Sequence, residues 1–228
     1  GSTIVGYSAN TNTGDTVAFR WRASTGSIVL PAPTTGAEAQ GVNADGSIIV
    51  GRSYGSGSAR AVYWDQTIQM HTLGLLPWPI AHEAKGVSDD GMMMTGFARQ
   101  TDGISWRAVV WPDRGAPQLA SDYFASRGVT VPADYIPQVI DEVSGNGRAF
   151  GFRYYHPTLG GNRSAIVILP GPCPADFNQD GGVDGADVEE FFQTWAEGMD
   201  RADLNEDGGV DGADVERFFF SWEAGGCE

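Results

Sequence analysis

At 228 residues the chain has room for one or two hydrophobic cores. Its net charge of −15 is unevenly spread: residues 1–172 carry 13 acidic against 12 basic side chains, and residues 173–228 carry 16 against 2. A nearly neutral body is thus joined to an intensely acidic end, a field that excludes nucleic acid and anionic membrane as partners and attracts cations.

Lysine occurs once, at Lys85, and no apolar run approaches the roughly 18 residues of a membrane span. The chain opens without a signal-peptide pattern, and a mature secreted form is expected.

In chain order, the first predicted elements are hairpins. The stretches GSTIVGYSA, GSIIVGRSY, GMMMTGFAR and GRAFGFRYY begin at Gly1, Gly46, Gly91 and Gly147, and Gly6, Gly51 and Gly96 fall 45 residues apart. GVNAD, GVSDD and EVSGN stand ahead of the last three, so each of these reads as strand, tight turn, strand. A second apolar strand follows every one (VAFRW, RAVYW, RAVVW, SAIVI), then short strands such as GSIVLP and IQMHTLGLLP.

Four short strands per repeat predict a mainly β fold: β-propeller-like four-stranded units over residues 1–170, about four of them. The runs at 48–50 and 108–111 are apolar on both faces, as strands stacked between neighbouring units must be. The first unit begins inside a hairpin, without the strand that GVNAD supplies elsewhere, and the last stops after SAIVIL. Either these deficits complement one another and close a ring, or the array is open and exposes strand edges.

These repeats resemble the bacterial extracellular family called HAF, whose motifs run A-F-R-W, L-G-x-L-P and G-V-S-x-D-G. Residues 18–21, 73–77 and 86–91 carry them. The stretch 120–152 resembles the end of such proteins, a short helix followed by a last hairpin. The resemblance implies a propeller-like fold and secretion by a bacterium.

Catalytic constellations are hard to find in residues 1–172. His71, His82 and His156 are scattered, HEAKG lacks the second histidine of a zinc helix, and no phosphate or dinucleotide loop occurs. No enzyme activity is expected. Trp21, Trp64 and Trp111 recur at equivalent places and read as core rather than as sugar-stacking platforms. Asn162, Arg163 and Ser164 form a glycosylation triplet that carries little weight in a bacterial chain. Pro170, Pro172 and Pro174 then make a short, stiff linker.

Residues 171–228 form the second predicted domain. ADFNQDGGVDGADVEEFF and ADLNEDGGVDGADVERFF share the spacing D-x-N-x-D-G-G-V-D-x-x-D, 27 residues apart. Calcium takes six to eight oxygens, and such a twelve-residue loop supplies them from alternate positions. The predicted ligands of one ion are Asp176, Asn178, Asp180, Asp184 and Asp187 with the Gly182 carbonyl. Those of the second are Asp203, Asn205, Asp207, Asp211 and Asp214 with the Gly209 carbonyl. Gly181 and Gly208 sit where the loop turns sharply, and Val183 and Val210 are placed to pack the loops together.

Val188, Phe191, Phe192 and Trp195, and 27 residues later Val215, Phe218, Phe219 and Trp222, make one apolar stripe on each following helix. Cys173 and Cys227 bracket this segment. A disulfide clasp in an oxidising compartment is one reading, and two unpaired buried thiols the other.

Two tandem loop–helix units with aspartate at position twelve resemble a dockerin domain over residues 173–227. The resemblance implies docking onto a cohesin domain through positions ten and eleven, here Gly185 and Ala186, and again Gly212 and Ala213. Cellulosomal members often carry Ser-Thr there, so this chain departs from the pattern read by their cohesins. The expected protein is a secreted, non-enzymatic assembly subunit with two calcium ions. Its acidic module engages either a cohesin-like receptor or the next copy of the chain, building a filament, tube or lattice. The alternative is a carbohydrate-binding or carbohydrate-degrading propeller carried to a scaffold by its dockerin.

Overall fold

The computed structural model describes residues 2–32, 36–55, 58–77, 81–102, 105–170, 173–178, 182–205 and 207–223. The chain divides into two compact units, Gly1–Leu169 and Pro170–Glu228.

The first unit is mainly β, with four antiparallel sheets, each a simple meander. Sheet one holds β1 (Thr3–Ala9), β2 (Thr16–Arg22) and β3 (Gly26–Val29), and sheet two holds β4 (Ala37–Val42), β5 (Ile49–Tyr54), β6 (Ala59–Trp64) and β7 (Met70–Thr72). Sheet three holds β8 (Ala81–Val87), β9 (Met94–Arg99), β10 (Trp106–Trp111) and β11 (Gln118–Leu119). After the short helix α1 (Ala120–Ser126), sheet four holds β12 (Ile136–Val143), β13 (Ala149–Tyr155) and β14 (Asn162–Ile168).

The repeat read from the sequence reappears as a register. Ile4 faces Trp21, Ile49 faces Trp64 and Met94 faces Trp111, while Gly6, Gly51 and Gly96 face Phe19, Val62 and Val109. The hairpin turns repeat as well. Gly46, Gly91 and Gly147 have φ of 75°, 72° and 71°, a left-handed conformation open to glycine at low cost, and each donates its N–H back to Asn43, Ser88 or Ser144. β4, β8 and β12, hereafter the inner strands, each carry a bulge at Gln40, Lys85 or Asp141.

Consecutive sheets pack face to face. Between sheets one and two lie Ala18, Leu30, Ala39, Ile49, Val62 and Trp64. Between two and three lie Val50, Ala61, Leu73, Met94, Val109 and Trp111. Between three and four lie Val110, Phe124, Ile140, Phe150 and Phe152, with α1 supplying Phe124. Trp64 and Trp111 are fully buried, and each indole Nε1 donates to a carbonyl behind the last strand of the preceding sheet: Pro31 at 2.8 Å and Gly74 at 2.9 Å. Adjacent turns are also tied. Asn43 donates to the Asp89 carbonyl, Asp89 accepts from Ala44, and its N–H donates to the Gly145 carbonyl.

The first and fourth sheets are three-stranded, as the sequence predicts, but their deficits do not complement one another. Among the described residues sheets one and four are not packed together, β1 lacks an inner partner and β14 an outer one. The array is open. Consequently Ile4 is 55 % and Ile166 71 % exposed, whereas Ile49, the counterpart of Ile4, is 1 % exposed.

In the second unit, α2 (Gly185–Ala196) and α3 (Gly212–Glu223) meet through Phe191 and Phe218, whose rings stack 4.4 Å apart. Phe177 and Ala202 complete the buried core, flanked by Val188, Trp195, Val210, Val215 and Trp222. Phe192 and Phe219 lie outside this core at the solvent edge, because one helix pair is too narrow to cover the full apolar stripe of each member. One expectation needs correction. Val183 is likewise exposed, while Val210 packs on the core, so the two valines do not play equal roles.

Candidate functional site

The two acidic loops end in the same local structure. At the first turn of α2, Asp184 accepts from the Ala186 N–H at 2.8 Å, and its own N–H donates to Asp187 at 2.9 Å. At α3, Asp211 accepts from Ala213 and its N–H donates to Asp214, both at 2.8 Å. This reciprocal capping box satisfies two otherwise unpaired donors per helix and fixes both aspartates. Sequence reading assigned these residues to a metal alone. The D-x-x-D spacing ahead of an apolar stripe was the available signal for their second role.

Asp187 and Asp214 are completely buried. The other oxygen of Asp187 accepts from Asn178 at 2.9 Å, and that of Asp214 accepts from Leu204 at 2.8 Å and Asn205 at 3.2 Å. Each therefore ties the end of its loop to the beginning. Burial acts to raise the Asp187 pKa, but backbone N–H groups of Asn178, Asp184 and Phe177 outweigh it and hold the carboxyl below the usual range.

In the second loop Asp203 accepts from the N–H groups of Asp207 and Gly208, and Asn205 and Asp207 accept from Asp207 and Gly209. Gly208 turns the loop with φ of 91°. These side chains bond the backbone of their own loop, with Asn205 and Asp207 still exposed. Asp176, Asn178 and Gly182 of the first loop and Gly209 and Asp211 of the second are described too, whereas Asp180, Gly181 and Cys227 lie outside the described residues.

Among the described residues no group of three or more His, Cys, Asp or Glu side chains stands close enough together to hold a metal. The donor set nonetheless fits a hard cation: every predicted ligand is oxygen, and the loop curls around Asp203, Asn205 and Asp207 with a buried carboxylate at its end. Gly185, Ala186, Gly212 and Ala213 occupy the first turns of α2 and α3 and are all exposed. No free cysteine occurs among the described residues.

In the β unit, a row of charges crosses the inner strands. Arg52 on β5 bridges Glu38 of its own sheet at 2.8 Å and Glu83 of the next sheet at 2.7 Å, while Arg153 on β13 holds Asp141 at 2.7 Å. Burial and the bond to Glu38 push the Tyr54 hydroxyl up to about 12. Burial acts to raise Glu38, yet Arg52 and Tyr54 hold it below the usual carboxylate range. The Arg52–Glu83 pair ties sheet two to sheet three, a structural role that sequence reading missed because the two residues stand 31 positions apart.

The histidines lie apart, His71 in β7, His82 in β8 and His156 just after β13. His71 bonds Asp65 and stacks on Tyr63, and His156 accepts from Leu159. His82 is 1 % exposed, its Nε2 accepts from the Leu76 N–H, and its Nδ1 has no partner among the described residues. Burial, with Arg60 adding to it, pushes its pKa down to about 4. Because the unfolded chain takes up this proton near pH 6.5 and the folded one does not, stability falls as pH drops from 6.5 toward 4, by about 3 kcal/mol. Thermal melts of the wild type and His82→Gln across that window should show the smaller slope for the variant.

No family profile matches the chain, and no curated protein does. Solved structures do show likeness. TolB from Acinetobacter baumannii is 16 % identical with a TM-score of 0.47, over 74 % of this chain and 38 % of that one. A putative TolB from Agrobacterium tumefaciens is 8 % identical with a TM-score of 0.49, over 74 % and 63 %. This chain thus spans less than two thirds of either.

Proposed function

We propose that the chain is a secreted, non-enzymatic assembly subunit. An open, propeller-like array of repeats is its body, and a calcium-folded, dockerin-like module at residues 171–228 is its connector, engaging a neighbouring copy. The observation that supports this reading is the duplicated closure of an acidic loop by a buried aspartate: Asp187 accepts from Asn178 and Asp184, and Asp214 from Asn205 and Asp211.

Each bound calcium would neutralise carboxylates that otherwise repel one another. Asp176, Asn178, Asp180, Gly182, Asp184 and Asp187 would hold one ion, and Asp203, Asn205, Asp207, Gly209, Asp211 and Asp214 the other. The exposed small residues Gly185, Ala186, Gly212 and Ala213 leave both helix starts open to close approach by a partner. A clasp between Cys173 and Cys227 would fasten the module's ends. Contact between the module of one copy and the body of the next would be heterologous, so copies would add head to tail in an array that need not close. Burial of Trp64 and Trp111 removes two of the three recurrent tryptophans as sugar platforms and weighs against the carbohydrate reading.

Light scattering of the purified chain in millimolar calcium, repeated after chelation, tests this. Large species that dissociate on chelation are expected. A monomer in both conditions would rule out self-assembly and direct attention to a separate receptor.

A further inference from the structure

The repeat is interrupted once inside the β unit, and the interruption builds a cleft. Residues 30–36 join β3 to β4 and residues 73–80 join β7 to β8, but β11 is joined to β12 by the longer stretch 120–135. That stretch holds α1 and an extended return. Insertions into a repeat architecture tend to gather on a face that binds.

α1 has a structural duty, since its Ala120, Tyr123 and Phe124 fill the core between sheets three and four. The return has another. Its Tyr135 N–H donates to the Pro132 carbonyl at 2.8 Å, and the rings of Pro132 and Pro137 stiffen the backbone on either side. β11 pairs only with Val109 and Val110, so no outer strand lies beside Arg107 and Ala108 among the described residues. Arg107, Ala108 and the return instead line a cleft of about 200 Å³. Leu119, Val131 and Pro132 give it apolar walls, and Ser121 and Tyr135 contribute side chains that carry hydroxyls.

A single cation belongs to this lining. Arg107 is half-buried, and its guanidinium donates one bond, to the Trp106 carbonyl at 2.9 Å. Among the described residues no carboxylate pairs with it, whereas Arg52 and Arg153 are both held in ion pairs. A guanidinium presents five N–H donors in a fork that matches a carboxylate, and most of those on Arg107 are left for a ligand.

We propose that this cleft is a binding site for a small organic monocarboxylate. The carboxylate occupies the Arg107 fork, and a compact apolar body packs on Leu119, Val131 and Pro132. The cleft is smaller than the pockets that enclose drug-sized ligands, so it takes a body about the size of one aromatic ring. The site lies wholly within the β unit and rests on neither calcium nor assembly.

Benzoate is the probe, with benzamide as an uncharged counterpart of nearly the same shape. Saturation-transfer NMR reads ligand binding to the full chain whether it is a monomer or an assembly, so failure here and failure of self-assembly are separate results. Benzoate should bind saturably, with a dissociation constant of about 1 mM. Benzamide should bind about tenfold more weakly or worse. Arg107→Gln should lose the preference for benzoate while melting within about 3 °C of the wild type. Ala133→Trp, at an exposed position of the lining, should fill the mouth of the cleft and lose both ligands. Arg163→Gln removes an exposed arginine on β14 and should leave benzoate binding unchanged. Three results would overturn the proposal: no saturable benzoate binding, equal binding of benzoate and benzamide, or undiminished benzoate binding by Arg107→Gln. Should the Arg107 variant fold poorly, the two ligands compared on the wild type still decide.

Discussion

When calcium is chelated, the helical circular-dichroism signal of residues 170–228 should collapse while the β unit melts at an unchanged temperature. Among the described residues the module's buried apolar side chains are few: Ala175, Phe177, Phe191, Ala202 and Phe218. Against that small core stands a net charge of −14 over residues 173–228, with four aspartates, Asp203, Asp207, Asp211 and Asp214, in the second loop alone. A core of this size supplies only a few kcal/mol, so ligand binding decides the balance. A ligand present at a thousand times its dissociation constant adds about 4 kcal/mol. Removing it should therefore shift the module from folded to largely unfolded. On the proposed reading, Asp214→Ala should weaken calcium binding about 100-fold or more, since it would remove a proposed ligand together with the tie to Leu204 and Asn205. Titration calorimetry reads the affinity; a module that stays helical in chelator would remove the metal from the account.

The second large effect concerns the three tryptophans. Trp64→Ala and Trp111→Ala should each cost about 3–5 kcal/mol, lowering the melting temperature of the β unit by roughly 10 °C. Each change empties a fully buried site between two sheets and orphans a carbonyl, that of Pro31 or Gly74. Trp21→Ala, at the equivalent register but 38 % exposed, should cost about 1 kcal/mol or less. Equal losses at all three positions would mean that sheet one is covered in solution by something that packs as sheet one packs on sheet two.

The repeat itself was readable from the chain because its grammar is local. Gly46, Gly91 and Gly147 mark turns through their own backbone freedom, and the alternation of apolar residues sets strand faces within a few positions. The three-stranded ends were readable for the same reason: a missing stretch such as GVNAD is visible as a missing stretch. What could not be read depends on neighbours far along the chain. Nothing around Glu38, Arg52 or Glu83 announces an ion bridge between sheets, and His82 looks like any exposed histidine until Trp111 and Leu76 close over it. The bulges at Gln40, Lys85 and Asp141 are likewise set by the strand alongside. In the acidic loops the repeated spacing was legible, but the hydrogen-bonding duties of its aspartates were not. Asp184 and Asp211 cap helices, Asp187 and Asp214 close loops, and Asp203, Asn205 and Asp207 hold the turn of the second loop. The exposure of Phe192 and Phe219 also escaped prediction, because helical periodicity tells which residues share a face and not how wide a face the partner can cover.

Because each sheet leans only on its immediate neighbours, the β unit behaves as a short one-dimensional chain of coupled blocks. Its stability is the sum of block terms and junction terms, with three junctions for four blocks. A block in the middle is held from two sides and an end block from one. β9, buried along nearly its whole length, lies where opening must break two junctions, while β1, with most of its residues half or fully exposed, lies where one suffices. Unfolding should therefore begin as fraying at the ends, and whatever engages β1 or β14 would add a junction and convert a fraying end into an interior block.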